Sequence, residues 1–185
     1  MIGARISDEA SRVLAQAKNP VVAACYEHWL QKRAQSGWSL PGRQHLDLIE
    51  MKGVLPHLVL IDVVRHGVYH RFRTRFSGTY VTDILGRDVA GLYIEHSGYP
   101  HAFDELYRRF STVVDEKALV YGVSPSPARH LDFLEYEHLT LPLAADGQTV
   151  DMLFGVSCAL PYSKVPARHE YGVAPLIEQP GTGRP

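Results

Sequence analysis

With 185 residues, 45% hydrophobic and 21% charged, the chain has the size and balance of one globular domain with a single core. A formal net charge of −1 leaves no basic excess for a dedicated nucleic-acid binder, and two distant cysteines suit neither a disulfide framework nor a zinc site. No apolar run approaches the roughly 18–20 residues that span a bilayer, and "MIGARISDEASRV" lacks a signal-peptide apolar stretch, so the expected location is the cytoplasm.

Ser7 followed by Asp8 and Glu9 is a helix start, and Ala10, Val13, Leu14 and Ala17 recur at helical spacing after it. Asn19-Pro20 restarts the pattern, with Asn19 as cap and Pro20 at the first helical position. Val22, Cys25, Tyr26, Trp29, Leu30 and Arg33 then form a stripe that needs a surface to lie on, and Ser36-Gly37 ends it. Asp47-x-x-Glu50 resembles a capping box opening one or two helical turns, closed by Pro56.

From His57 to Val64, "HLVLIDVV" predicts a strand buried on both faces, which requires the N-terminal helices to cover the back of the sheet. Arg65-His66-Gly67 turns into a second strand, Val68 to Phe76. Period two puts Arg71, Arg73 and Arg75 on one of its faces and Phe72, Thr74 and Phe76 on the other. A short helix over Thr79–Leu85 stops at Gly86, an irregular stretch follows to Gly98, and His101–Asp115 carries the clearest helical stripe.

The last third predicts strands over Leu119–Val123, Leu131–Leu143 and Val150–Leu160. In the second of these the apolar phase slips between Tyr136 and Leu139, as at a bulge, and Asp146-Gly147 marks a hairpin turn. "VAPLIEQPGTGRP" has no periodicity and is expected to be a mobile tail. Helices, two strands, a helical middle and three strands together read as an α+β fold with an antiparallel sheet.

Five segments in this order resemble the PAS domain family, in its compact stand-alone bacterial branch. They are "LPGRQHLDL" (Leu40–Leu48), "LPHLVLIDVV" (Leu55–Val64), "FRTRFSGTYV" (Phe72–Val81), "LGRDVAGLY" (Leu85–Tyr93) and "FLEYEHLTLPLAADGQTVDMLFG" (Phe133–Gly155), all within Val21 to about Leu160. The resemblance implies a five-stranded antiparallel sheet with helices over one face, N-terminal helices on the other, and a small pocket between helix and sheet. It also implies a dimer through the segment Asp8–Arg33, and a division into an N-terminal helical cap or dimerisation segment (1–37), the PAS domain (38–165) and a flexible tail (166–185). The expected function is that of a sensor or interaction module in bacterial signalling, not an enzyme. A small apolar or anionic metabolite would sit in the pocket, and the signal would leave through contact with an unidentified signalling protein.

The arginine row admits several readings. A nucleic-acid surface would need a wider basic patch with stacking aromatics, which the near-neutral chain does not supply. A scaffold role has the guanidinium heads pairing with acids such as Asp62, Asp88 or Glu137, while a subset could still reach an anionic ligand. In family terms Arg73, Arg75, Gly78, Gly86, Arg87, Asp88 and Gly91 form a structural motif. With the arginines turned outward, the ligand-contacting groups are expected to be Phe72, Thr74, Phe76, Tyr80, Ile84, Leu92, Phe103, Leu106, Tyr107, Phe110, Leu134, Tyr136, Phe154 and Val156. The same lining equally suits a filled core.

The cofactor stays unknown. Haem-binding members of the family use a histidine on the long helix, where His101 stands at the start without a matching second ligand. Flavin photochemistry needs a cysteine in the helical middle, and neither Cys25 nor Cys158 lies there; no metal-ligand spacing occurs. The alternative function is a cone-fold α+β isomerase or dehydratase, which would converge Asp104, Tyr107, Tyr136 and His138 in one pocket.

Overall fold

A computed structural model describes residues 11–12, 14–97, 102–126, 134–160 and 170–176. Helix α1 (Pro20–Ser36) begins as its sequence dictates: the Asn19 side chain accepts from the Val21 amide at 2.9 Å, and Pro20 occupies the first turn. Its buried side chains are Val22, Cys25, Tyr26, Trp29, Lys32 and Arg33. Asp47 accepts from the Ile49 amide, and the chain from 48 to 54 stays in turns, where a helix was expected.

Strands β1 (Leu58–His66) and β2 (Tyr69–Ser77) form a hairpin, followed by α2 (Thr79–Leu85) and the longer α3 (Phe103–Glu116). Strands β3 (Ala118–Pro125), β4 (Glu135–Leu143), β5 (Met152–Ala159) and β6 (Glu170–Pro175) complete one antiparallel sheet in the order β2-β1-β5-β4-β3-β6. The sheet thus has six strands rather than five. The sixth comes from the stretch expected as a mobile tail: it pairs along β3 from Ala118 to Val123 and buries Ala174 and Leu176 completely. An edge strand leaves a row of unpaired amides and carbonyls, and pairing them is enough to hold a segment without a helical or alternating signature.

The pairing registers sort the side chains onto two faces. Leu60 lies opposite Phe154, which lies opposite Leu141, and this row turns toward α1. Val59 lies opposite Gly155, which lies opposite Thr140, and this row turns toward α2 and α3. Trp29, fully buried, fastens α1 to the first face by donating from Nε1 to the Pro142 carbonyl at 3.0 Å.

Two registers differ from expectation. β4 pairs with both neighbours without interruption, so there is no bulge between Tyr136 and Leu139. Its apolar phase slips because both faces are buried and each takes a polar group, Glu137 (0% exposed) on one and His138 (3%) on the other. The irregularity sits instead in the β1–β2 hairpin, between Leu60 and Ile61, where Phe76 faces Leu60 and Thr74 faces Ile61. That extra residue, Arg75, moves Phe76 off the face that Phe72 and Thr74 share.

Candidate functional site

Between the sheet and the helices α2 and α3 lies a chamber of about 160 Å³. Apolar side chains of β1 (Val59, Ile61), α2 (Val81, Ile84, Leu85), the segment after it (Val89, Ile94) and α3 (Leu106, Phe110) make most of its wall. On the sheet side Gly155 has no side chain to fill the space, and a methyl group built there would meet the Val59 carbonyl at an ordinary 3.6 Å. Next to the chamber is a second cavity of about 320 Å³, lined by Glu105, Ser124, Ser126 and Pro125 among others. Leu106, Arg109, Tyr136, His138 and Ser157 border both, so one apolar and one polar compartment share a wall.

Arg109 is the unusual member of that wall. Its Nε is sealed from solvent and has no hydrogen-bond partner among the described residues. Burial, above all, pushes its guanidinium down to about 10, with Glu105 one turn earlier on α3 opposing and Arg108 reinforcing the shift. The guanidinium lies 5.3 Å from the Phe110 ring centre, within cation–π range. Tyr136 is pushed above the ordinary phenol range by burial first and by the nearby Tyr80, while its hydrogen bond with Ser126 acts the other way. It therefore remains a protonated hydroxyl at neutral pH.

On the opposite face, Glu137 is a buried carboxylate with three donors: the Lys18 and Asn19 amides at 2.7 Å each and the Tyr121 hydroxyl at 2.6 Å. It anchors the entry to α1. Burial pushes the Tyr121 hydroxyl up, and the hydrogen bond with Glu137 adds to this. Cys25 and Cys158 are both buried, and burial raises each thiol to about 12, which makes them inert packing groups.

The family model PAS_5, described as PAS domain, matches residues 17–158. The chain belongs to the PAS domain family. No curated protein sequence matches this PAS domain. Similar solved structures include VqmA bound to DPO (TM-score 0.49, 12% identity, covering 62% of this chain and 56% of that one). A sensory box sensor histidine kinase from Vibrio cholerae is another (0.42, 16%, 62% and 87%), as is the Vibrio cholerae VqmA dimer in the absence of target DNA (0.47, 13%, 63% and 52%). The chain thus spans little more than half the length of the VqmA chains.

Within the PAS domain, six of the expected contacting groups border the chamber: Thr74, Ile84, Leu106, Phe110, Tyr136 and Val156, although Val156 shares the strand phase of Phe154 and its side chain belongs to the α1 face. Phe72, Phe103 and Tyr107 do not reach it. They fill the adjoining core, with Phe72 edge-on to Tyr107 and Phe110 at 5.7 and 5.3 Å between ring centres, and Phe103 beside Tyr107 at 5.8 Å. Phe76 is turned aside by the bulge, and Phe154 faces α1 because β5 pairs in the opposite phase to that assumed. Tyr80 stacks on His57 and accepts from the Ala159 amide at 3.0 Å. Leu92 is spent on β2, its carbonyl accepting from the Thr74 amide at 2.9 Å, and Leu134 lies before β4 with its carbonyl accepting from Ser126.

The arginine row lines neither cavity. Arg73 and Arg75 both donate to Asp62, at 2.9 and 2.6 Å, and Arg71 donates to Glu95 while its guanidinium stacks 3.9 Å above the Tyr93 ring. Asp88 and Glu137 hold no member of that row: Asp88 accepts from the Ala90 amide, and Glu137 serves α1. The remaining motif positions hold backbone. Gly78 donates to the Leu58 carbonyl, Gly86 ends α2 at φ 66°, Arg87 reaches the His96 carbonyl, and Gly91 donates to Thr74. Asp104 is exposed and borders neither cavity, and Tyr107 packs in the core, so the four groups of the cone-fold alternative do not converge. His101 lies outside the described residues. Among the described residues no cluster of metal-ligating side chains occurs, and no helix is long and apolar enough to cross a membrane.

Arg109 was missed because "DELYRRF" reads as an ordinary charged helix flank. The one available signal was its position between Leu106 and Phe110 of the stripe, on the border of the apolar face.

Proposed function

We propose that this PAS domain is a sensor module that takes a small molecule into the chamber between β1, β5 and α3, and passes its occupancy on through protein contacts. The observation that supports the reading is the chamber itself. At about 160 Å³ it is the size of an engineered apolar cavity, roughly 150 Å³, that holds benzene. Helices α2 and α3 form one wall and the central strands the other, so a ligand touching both could bias how they sit together.

Gly155→Val places a branched side chain in the chamber from a strand position that favours it. The variant is expected to fold and to lose toluene-induced thermal stabilisation, read by a melting curve with and without toluene. A variant that is stabilised by toluene as fully as the unaltered chain would remove the chamber from the mechanism.

The module is further proposed to self-associate through residues 8–33. The apolar side of α1 is spent on its own sheet, with Val22, Cys25 and Trp29 fully buried, so contact between copies must use the rest of the segment. Deleting residues 1–37 is expected to bare Leu60, Leu141 and Phe154 and give an insoluble chain; a soluble, dimeric deletion product in sedimentation would contradict this.

A further inference from the structure

We infer that the ligand is a small carboxylate with an apolar body, its body in the chamber and its carboxylate in the polar cavity on Arg109. The inference rests on the chamber reading above and adds the chemistry of the second compartment. Arg109 comes from α3, one turn from Leu106 and next to Phe110, both of which border the chamber. Its guanidinium therefore stands where an apolar wall gives way to Ser124, Ser126, Tyr136, His138 and Ser157. A guanidinium offers a planar fork that matches a carboxylate, and a sealed Nε without an acceptor has one arm of that fork unused.

Glu105 does not complete the arrangement. It lies at the polar cavity and its charge raises the Arg109 pKa, but burial outweighs it. Tyr136, kept protonated, borders both cavities and can donate to the second carboxylate oxygen. A phosphate-bearing ligand fits less well, because among the described residues the polar cavity is lined by one arginine, one glutamate and no lysine. The body follows from volume: a chamber of about 160 Å³ accepts a group about the size of a benzene ring.

The test is calorimetric titration of the full chain with a series of carboxylates from butyrate to phenylpropionate, each beside its primary amide, with toluene as the uncharged reference. At least one carboxylate is expected to bind about tenfold or more tightly than its amide, the discrimination one charge-assisted fork supplies. Arg109→Met should abolish that preference, with toluene titrated beside it as the uncharged reference. Arg109→Lys should retain part of it, and Gly155→Val should abolish binding of carboxylate, amide and toluene alike. Carboxylates and amides binding equally well, or a preference that survives Arg109→Met, overturns the inference. Toluene binding with no carboxylate bound sinks the carboxylate alone, whereas failure of toluene to bind sinks the chamber reading with it.

Discussion

Glu137→Ala is expected to cost about 3–5 kcal/mol of folding free energy, close to the whole stability of a marginal domain. The Lys18 and Asn19 amides would lose their acceptor, the fully buried Glu137 carboxylate, at the part-buried entry to α1. Tyr121 would retain only the Gln16 carbonyl, at 3.0 Å. Each orphaned donor costs about 1–3 kcal/mol, and the two amides stand at the cap from which α1 starts. Glu137→Gln, with one oxygen in place of two, should lose about half as much. Urea unfolding followed by far-ultraviolet dichroism measures both; a loss below about 1 kcal/mol for the alanine variant would show that the carboxylate is not what holds the helix.

Gly78→Ala should be nearly as damaging, at about 3 kcal/mol, for a purely steric reason. At φ −66° the backbone suits any residue, so conformational freedom is not the issue. A methyl group at Gly78 would overlap the carbonyl oxygens of both Leu55 and Pro56, and these are main chain that cannot swing away. The turn before β1 and the start of α2 would have to part. Because α2 supplies Val81, Ile84 and Leu85 to the chamber, ligand binding should weaken along with stability. Gly53→Ala is the control: nothing lies within 4 Å of the added methyl group, and its cost should fall within about 0.5 kcal/mol of zero. Equal effects at the two positions would rule out the close approach as the cause.

Arg109 carries the opposite sign. A guanidinium whose folded pKa is depressed destabilises the fold at every pH where it is charged, and the penalty lifts only above about 10. Such a group weakens the empty protein, and a carboxylate bound on it would offset that penalty.

Much of the architecture could be read in advance from local signals. Asn19-Pro20 and Gly37 bound α1, Thr79–Leu85 and the Phe103–Val114 stripe mark the other helices, and the alternation of β5 marks a strand. These patterns report how one residue relates to its near neighbours, through periods of 3.6 and two, and burial on a single face is enough to write them.

The phase of each strand against its partner was decided only in three dimensions. One extra residue at Arg75 turned Phe76 aside, the pairing of β5 turned Phe154 toward α1, and edge pairing drew residues 170–175 out of an unpatterned tail into the sheet. The candidate site followed the same rule. Arg109, Tyr136, His138 and Ser157 lie on three separate elements, and only the register of β4 against β5 and the seating of α3 bring them to one wall. Periodicity can tell that a residue faces inward, but which inward residues meet is settled by pairings between segments far apart in the chain.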